Sequence, residues 1–256
     1  MKVVILAGGK GSRLGQRTSI IPKPMLTIGY KPILWHIMKI YSNSGFNEFI
    51  ICLGHLGIII KDFFYNYNIL NCDFTIDMNT KAINFHKINE KLDWKVTLID
   101  TGRNTLKGGR IKRIEKYLDS DTNMLTYGDG LADINIQKLL EFHKSHGKIL
   151  TISGVHPPSR FGEIIVKENK LQFFLEKPQT STSLINGGFM IFNRELLDYL
   201  TEDEDCDFER GPLQKLAEDE QIAIYKHLGY WECMDTERDY QFLNKLWHEN
   251  RAFWNI

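Results

Sequence analysis

The fold is decided first by the stretch Val3-Val4-Ile5-Leu6-Ala7-Gly8-Gly9-Lys10-Gly11-Ser12-Arg13, an apolar run that leads directly into glycines. A short β-branched run closed by glycines is typical of a fully buried strand. The glycines let the backbone approach a ligand and leave N–H groups free to face phosphate oxygens, and Arg13 adds a cationic fork. The spacing matches neither the dinucleotide fingerprint G-x-G-x-x-G nor the P-loop, and a plain tight turn after a strand would use the same glycines.

Apolar runs alternate with amphipathic segments along the rest of the chain. Strands are predicted at 49–53, 123–127, 149–155 and 185–193, with short strands within 73–100 and a strand pair over 163–176. Helices are predicted at 33–43, 58–67, 108–118, 136–146, 195–200, 212–219 and 237–253. This order predicts an α/β fold with a Rossmann-like, mixed, mainly parallel sheet flanked by helices and small β-rich additions. We expect a single domain over 1–256, because the sequence contains no repeat and no clear linker.

The overall composition excludes several classes of function. Lys+Arg and Asp+Glu each total 32, so the net charge of zero favours binding neither to nucleic acid nor to an anionic membrane. The four cysteines form no C-x-x-C pair and no zinc pattern, which fits a reducing, cytoplasmic environment. The longest apolar stretch, 49–60, is too short to span a bilayer. The aromatic tail 247–254 would either cover a neighbour in a homo-oligomer or pack on its own domain.

Four further motifs place a charge beside a turn. In Pro22-Lys23-Pro24-Met25, two prolines restrict the backbone around one lysine. Asp129, in Tyr127-Gly128-Asp129-Gly130, follows a predicted buried strand and could bind Mg²⁺, with Asp235 as the second carboxylate. Lys177 could neutralise the phosphate of an acceptor. Each motif alone is more often a solvated turn or strand end, and only the whole set indicates a functional site.

The ordered motifs L-A-G-G-x-G-x-R-L, P-K-P-M, Y-G-D-G, E-K-P, N-G-G-F and M-D-T resemble the sugar-phosphate nucleotidyltransferases, and within them the cytidylyltransferases. The resemblance implies transfer of CMP from CTP to a small phosphorylated acceptor with Mg²⁺ as cofactor, residues 1–130 forming the nucleotide-binding half and 131–256 the acceptor-binding half with the C-terminal helix.

The resemblance also implies a role for individual residues. The cytidine is expected on Leu6, Ala7, Gly8 and Gly9, with Thr105 and Arg110 near the base and ribose. The β- and γ-phosphates are expected on Gly11, Ser12 and Arg13, and the α-phosphate on Lys23. It implies that Asp129 and Asp235 hold Mg²⁺, that Lys177 meets the acceptor phosphate and that Asn186 and Gly187 line the acceptor pocket.

The departures from the family pattern lie near the expected acceptor side. Ile21 stands where a second lysine is common, Arg103 replaces an acidic residue, and Glu163 follows Arg160-Phe161-Gly162 where glucose enzymes tend to carry a small residue. A carboxylate at 163 could recognise an ammonium group. The chain also resembles a branch in which L-glutamine phosphate and CTP give CDP-L-glutamine for capsular phosphoramidate. We therefore expect that acceptor, with glucose 1-phosphate as the alternative if Glu163 is a surface residue.

Two alternatives belong to other classes of protein. A catalytically inactive nucleotide sensor could share the fold, although it would be expected to lack one of the charged residues named above. A nicotinamide dehydrogenase would need an acidic residue at the end of the second strand, where this chain has Leu53-Gly54-His55.

Overall fold

A computed structural model describes residues 1–88, 92–157, 163–175 and 183–255. In chain order, its strands are β1 (Val3–Leu6), β2 (Thr27–Ile28), β3 (Lys31–Pro32), β4 (Glu48–Leu53), β5 (Cys72–Ile76), β6 (Ile83–Ile88), β7 (Lys95–Asp100), β8 (Thr122–Tyr127), β9 (Gly130–Ala132), β10 (Leu150–Val155), β11 (Glu163–Lys167), β12 (Lys170–Leu175), β13 (Ile185–Asn193), β14 (Ile222–His227) and β15 (Trp231–Cys233).

The α-helices are α1 (Arg17–Ile20), α2 (Ile33–Asn43), α3 (Gly57–Tyr65), α4 (Tyr67–Asn71), α5 (Lys107–Arg113), α6 (Ile136–His146), α7 (Pro212–Glu218) and α8 (Glu237–His248). Short 3₁₀ turns cover Ser12–Leu14, Lys23–Met25, Glu115–Tyr117 and Arg194–Tyr199. None of the helices in the described residues combines the length and the apolar character needed to span a bilayer.

The centre of the fold is a seven-stranded sheet in the order β14-β10-β13-β8-β1-β4-β7. Strands β8, β1, β4 and β7 pair in parallel, and β10 pairs in parallel with β14. Strand β13 runs antiparallel to both of its neighbours, β8 and β10. The predicted mixed, mainly parallel sheet is therefore confirmed, and the β-rich additions within the described residues are four separate two-stranded ribbons.

Strand β1 is buried because both faces of the sheet are covered. Val3 and Ile5 belong to one apolar cluster, while Val4 and Leu6 belong to another, as the alternation of side chains along a strand requires. The first cluster includes residues of α2, α6 and α8, and the second includes residues of α5 and α7. One sheet therefore carries both clusters, one on each face. The division at residue 130 into a nucleotide-binding half and an acceptor-binding half stays a prediction.

The structure corrects several element boundaries. The predicted helix 58–67 is two helices, since Asn66 leaves helical geometry with φ −95° and ψ 14°. The predicted tail helix 237–253 ends at His248, where Asn250 takes the left-handed φ of 55° that terminates helices. Strand β14 was not predicted. It lies at the edge of the sheet, and its Ile224 is 45% exposed, so the strand lacks the continuous apolar pattern of a buried strand.

The aromatic tail packs on its own domain. The side chain of Trp254 is 2% exposed, and its indole N–H donates to Nδ1 of His36 over 3.3 Å. Phe253 and Trp247 pack against the same apolar cluster. Of the two alternatives for the tail, the structure shows the intramolecular one, and homo-oligomerisation stays a prediction.

Candidate active site

A cleft of about 690 Å³ opens at the carboxyl ends of the central strands. Leu6 of β1 lies beside Tyr127 of β8 in parallel register, so the glycine loop and the Gly128-Asp129 turn emerge at the same edge of the sheet. Open parallel sheets bind ligands at this edge. The residues lining the cleft include most of the predicted nucleotide positions, namely Leu6, Ala7, Gly8, Gly9, Gly11, Arg13, Lys23, Thr105 and Arg110.

The glycine loop owes its shape to local contacts. Gly11 has a left-handed φ of 63°, and a Cβ there would lie 3.1 Å from both Thr18 Cγ2 and Lys23 Cβ. The Thr18 hydroxyl donates to the Gly11 carbonyl over 3.0 Å. Ser12 begins the 3₁₀ turn and is exposed, but it does not line the cleft. A phosphate-binding role for Ser12 stays a prediction.

Arg110 contributes to the architecture of the cleft as well as to its lining. Its side chain is buried, and Nη1 donates to the carbonyl of Leu53 and to the Thr101 hydroxyl, each over 2.8 Å. Nη2 donates to the Gly8 carbonyl over 3.0 Å. Burial lowers the pKa of Arg110. Its guanidinium thus ties together the ends of β1, β4 and β7, and its predicted contact with base and ribose stays untested.

The packing of Arg110 explains why residue 8 is glycine. A Cβ at Gly8 would lie 2.2 Å from Nη1 of Arg110. Thr105, the second residue predicted near the base, is buried, and its hydroxyl accepts a hydrogen bond from Arg113 Nη1 over 2.8 Å. Sequence reasoning did not anticipate this arginine pair, because Arg110 at Leu53 and Gly8, and Arg113 at Glu202, contact segments that are far away in the chain.

Lys23 joins the two carboxylates that the sequence proposed as metal ligands. Its Nζ lies 2.5 Å from Asp129 Oδ2 and 2.5 Å from Asp235 Oδ1. Arg13 reaches the other oxygen of Asp235, with Nη1 2.6 Å from Oδ2. We call Arg13, Lys23, Asp129 and Asp235 the charged cluster. The tertiary fold brings these four side chains to one point from four separate segments of the chain.

The neighbouring charges keep Lys23 and Asp235 ionised. Burial opposes the charged form of Lys23, but the Asp129 and Asp235 carboxylates raise its pKa above the usual value. Burial likewise opposes the charged form of Asp235, and its pKa is nevertheless lowered by Lys23 and Arg13. The cluster therefore presents charge to the cleft at neutral pH.

Two short structural devices hold the carboxylates in place. Strand β15 pairs with β9, so that Cys233 lies opposite Gly130, and Met234 N–H donates to the Asp129 carbonyl over 2.9 Å. Helix α8 begins immediately after Asp235 with a capping box between Thr236 and Asp239. Asp129 and Asp235 are therefore fixed by backbone pairing on one side and by a helix start on the other.

The donor set suits a hard divalent cation. Ligand atoms of Asp129, Asp235 and Cys233 all lie within 4.8 Å of one another. Mg²⁺ prefers one or two carboxylates together with phosphate oxygens, which matches the two aspartates, whereas a thiol is a ligand for softer metals. The two predicted aspartates supply the carboxylates that Mg²⁺ prefers, and binding of Mg²⁺ stays a prediction. The place of Cys233 beside them was not predicted, because a lone cysteine is more often a core residue.

The acceptor side of the cleft is described only in part. Asn186 and Gly187 line it, and Trp231 Nε1 donates to the Gly187 carbonyl over 2.8 Å. Lys177 lies outside the described residues. Glu163 begins β11, but its side chain lies outside the described part of the structure. The roles assigned to Lys177 and Glu163 stay predictions.

Comparisons with known proteins agree on the family. Residues 2–241 match the nucleotidyl transferase family. The chain is 43% identical to the glucose-1-phosphate cytidylyltransferase of Salmonella typhimurium, over 99% of this chain and 98% of that protein. It is 41% identical to the probable glucose-1-phosphate cytidylyltransferase of Bacillus subtilis, over the full length of both.

Solved structures show the same architecture. HddC from Yersinia pseudotuberculosis superimposes with a TM-score of 0.67 at 25% identity, covering 96% of this chain and 99% of that one. UDP-glucose pyrophosphorylase complexed with UDP-glucose gives a TM-score of 0.67 at 18% identity and supports the fold alone. Together with the family match over residues 2–241, these comparisons place the chain in the nucleotidyl transferase family of enzymes.

Proposed function

We propose that this enzyme transfers CMP from CTP to glucose 1-phosphate, giving CDP-glucose and pyrophosphate. The observation that carries nucleotidyl transfer is the charged cluster, in which Lys23 and Arg13 meet the Asp129 and Asp235 carboxylates beside a glycine loop. The choice of CTP and of a glucose acceptor rests on the two relatives that are more than 40% identical over essentially the whole chain.

The reaction requires little proton chemistry from the protein. The acceptor phosphate is already an anionic nucleophile, so one of its oxygens attacks the α-phosphorus without a general base. The new oxygen–phosphorus bond forms as the bond from the α-phosphorus to the bridging oxygen of the β-phosphate breaks, and that oxygen leaves with pyrophosphate. The enzyme contributes mainly orientation and neutralisation of charge.

Each residue of the cluster has a defined part in this proposal. Arg13 neutralises the β- and γ-phosphates, and Lys23 neutralises the α-phosphate, where negative charge accumulates. Mg²⁺ held by Asp129 and Asp235 would supply further neutralisation of the phosphate oxygens. Arg110 keeps the glycine loop in the shape that accepts the nucleotide, since its guanidinium holds the Gly8 carbonyl. Lys177 is proposed to bind the acceptor phosphate.

The acceptor hypothesis built on Glu163 takes second place. It would direct CMP to L-glutamine phosphate and place the enzyme in capsular phosphoramidate synthesis. Its support in this chain is the type of residue at position 163 together with the resemblance to the branch that makes CDP-L-glutamine. The relatives named above, which match over the full chain, are glucose-1-phosphate enzymes. We therefore rank glucose 1-phosphate first, with L-glutamine phosphate as the competitor.

One assay compares the two acceptors directly. Purified protein with CTP and Mg²⁺ should release pyrophosphate much faster with glucose 1-phosphate than with L-glutamine phosphate, and mass spectrometry should identify CDP-glucose. UTP, ATP and GTP serve as donor controls, and removal of divalent cations with a chelator should stop the reaction. The reverse ranking of acceptors would replace glucose by the amino-acid phosphate. Binding of CTP without turnover of any acceptor would instead support the sensor alternative.

A further inference from the structure

A chain of polar side chains crosses the cleft outside the charged cluster. It consists of Lys107 at the start of α5, Tyr127 at the end of β8, Asn186 in β13 and Glu209 in the segment before α7, and we call it the cross-cleft chain. All four residues line the cleft. Lys107 lies next to the segment predicted to meet the base, whereas Asn186 lies on the predicted acceptor side. The cross-cleft chain therefore connects the side of the cleft predicted to bind the nucleotide with the side predicted to bind the acceptor.

The direction of each hydrogen bond in this chain is determined. The Tyr127 hydroxyl donates to Glu209 Oε1 over 2.7 Å, because a carboxylate paired with an ammonium group can only accept. The same carboxylate oxygen is paired with the Lys107 ammonium group. The Tyr127 oxygen is then left to accept from Asn186 Nδ2 over 3.1 Å. An independent contact fixes the amide, since the Gly188 N–H donates to Asn186 Oδ1 over 2.9 Å.

The surroundings of Tyr127 restrict its ring. The Lys107 ammonium lies 4.8 Å from the ring centroid, and a Cβ at Gly188 would lie 2.8 Å from ring atom Cδ2. Gly188 has a left-handed φ of 82°, which allows the backbone to come this close. Burial, reinforced by the Glu209 carboxylate, raises the pKa of Tyr127, so its hydroxyl stays protonated and available as a donor.

We propose that Glu209 is a positioning residue for the acceptor, which acts through the Tyr127 hydroxyl to aim the Asn186 amide into the acceptor side of the cleft. This inference rests on the proposed function, because it assumes that Asn186 meets the acceptor. Glu209 does not itself touch the reacting phosphates in this proposal. Without its carboxylate, the Tyr127 hydroxyl would need another acceptor, and the bond that it receives from Asn186 would lose its fixed direction.

The proposal predicts a selective effect on the acceptor. In Glu209→Ala, the KM for glucose 1-phosphate should rise about tenfold or more, the usual worth of a charge-assisted hydrogen bond, while the Kd of CTP stays within about twofold of wild type. Glu209→Gln keeps an oxygen that accepts from Tyr127 and should restore most of the affinity. Glu204→Ala, which removes an exposed carboxylate from the same segment, is the matched control and should behave as wild type.

A second variant tests whether the effect passes through Tyr127. Tyr127→Phe should raise the KM for glucose 1-phosphate in the same way. The double variant Tyr127→Phe/Glu209→Ala should have a KM no higher than that of the more impaired single variant, because both substitutions break the same cross-cleft chain. Additive effects, or a Glu209→Gln variant as impaired as Glu209→Ala, would overturn the positioning role. So would a rise in the Kd of CTP without a change in the KM of the acceptor.

Binding calorimetry separates this inference from the proposed function. If wild-type protein binds CTP but not CDP-glucose, the glucose acceptor itself is wrong, and the inference that rests on it fails with it. If wild-type protein binds CDP-glucose and Glu209→Ala binds it equally well, the proposed function stands and the positioning role is overturned. Weaker binding of CDP-glucose by Glu209→Ala, with unchanged binding of CTP, supports the inference.

Discussion

The charged cluster and a second polar network, on the far end of the sheet, use polar side chains in opposite ways. In the cluster, Lys23 and Arg13 share the Asp129 and Asp235 carboxylates, and Arg13 is 70% exposed. In the second network, His143 and His146 of α6 both form hydrogen bonds with Thr151 of β10, which is fully buried. His143 also forms a hydrogen bond with Asn193 of β13. The first group is charged and open to the cleft, whereas the second is enclosed.

Every hydrogen bond of the second network is satisfied when both histidines are neutral. Asn193 Nδ2 donates to the Lys148 carbonyl, so its Oδ1 accepts from His143 Nε2. His143 Nδ1 then accepts from the Thr151 hydroxyl, whose oxygen accepts from His146 Nε2. His146 Nδ1 finally accepts from the Lys148 N–H over 3.0 Å. A proton added to His146 Nδ1 would face the Lys148 N–H donor, and a proton added to His143 Nδ1 would remove the acceptor of the Thr151 hydroxyl.

This comparison shows what separates a functional from a structural polar site in this protein. The charges of the cluster lie at the carboxyl edge of the strands, where we propose that substrate phosphates bind. In the histidine network, the polar groups that hold elements together are neutral and form their hydrogen bonds with other protein atoms. Substitutions in the cluster should therefore change the rate more than the stability, and changes in the histidine network should do the reverse.

The largest effect should come from removing a carboxylate of the cluster. Asp129→Asn should lower the rate of pyrophosphate release by about a hundredfold to a thousandfold, the usual loss on removing one electrostatic stabiliser of a transition state. The thermal unfolding midpoint should change little, because Lys23 keeps Asp235 as its partner. Asp62→Asn, on an exposed position of α3, is the control. A loss of stability matching the loss of rate would contradict the separation of roles.

The next largest effect should come from acid, which lowers the stability of the fold by protonating the buried neutral histidines. Burial lowers the pKa of His36 to about 4, and its Nδ1 accepts from the Trp254 indole while its Nε2 donates to the Ile28 carbonyl. Burial also lowers the pKa of His143 and His146. In the unfolded chain these rings take up protons near pH 6.5, so the stability they provide is complete above that pH and is lost as the pH falls towards 4.

The full loss from His36 alone is about 3 kcal/mol, at 1.36 kcal/mol for each unit of pKa, and about 2 kcal/mol of it should be present at pH 5. Urea unfolding at pH 7.5, 6 and 5 measures it as a falling free energy of unfolding. His36→Gln can still donate and accept hydrogen bonds but cannot take up a proton in this range, so its stability should fall less steeply. An equal slope in both proteins would show that His36 is not responsible.

A smaller effect should follow from removing one hydroxyl of the histidine network. Thr151→Val keeps the shape of the side chain but leaves His143 Nδ1 and His146 Nε2 without their shared partner, at a cost of about 1–3 kcal/mol. Urea unfolding at pH 7.5 measures this loss. The control is Ser145→Ala, which removes an exposed hydroxyl from α6, the helix that carries His143 and His146. The rate per folded molecule should stay at the wild-type value. A reduced rate would mean that the network also supports the cleft.

The parts that sequence reasoning predicted well depend on neighbours along the chain. Helices α2 and α6 have the predicted bounds, since periodicity and flanking residues such as Gly45 and Gly147 act locally. Strand β13 was likewise predicted with its observed ends. Edge strand β14 was missed, because its apolar pattern depends on which strand lies beside it.

By itself, the sequence determined the buried strand, the glycine loop, the alternating elements and the identity of the charged residues, because each is a property of a short segment. Only the tertiary structure decided that Lys23 lies between two carboxylates, one of them 212 residues away in sequence. It also decided that Arg110 ties three strand ends together and that Glu209 reaches Tyr127. Contacts of this kind form when sheet order and loop packing bring distant segments together, and no local pattern encodes that approach.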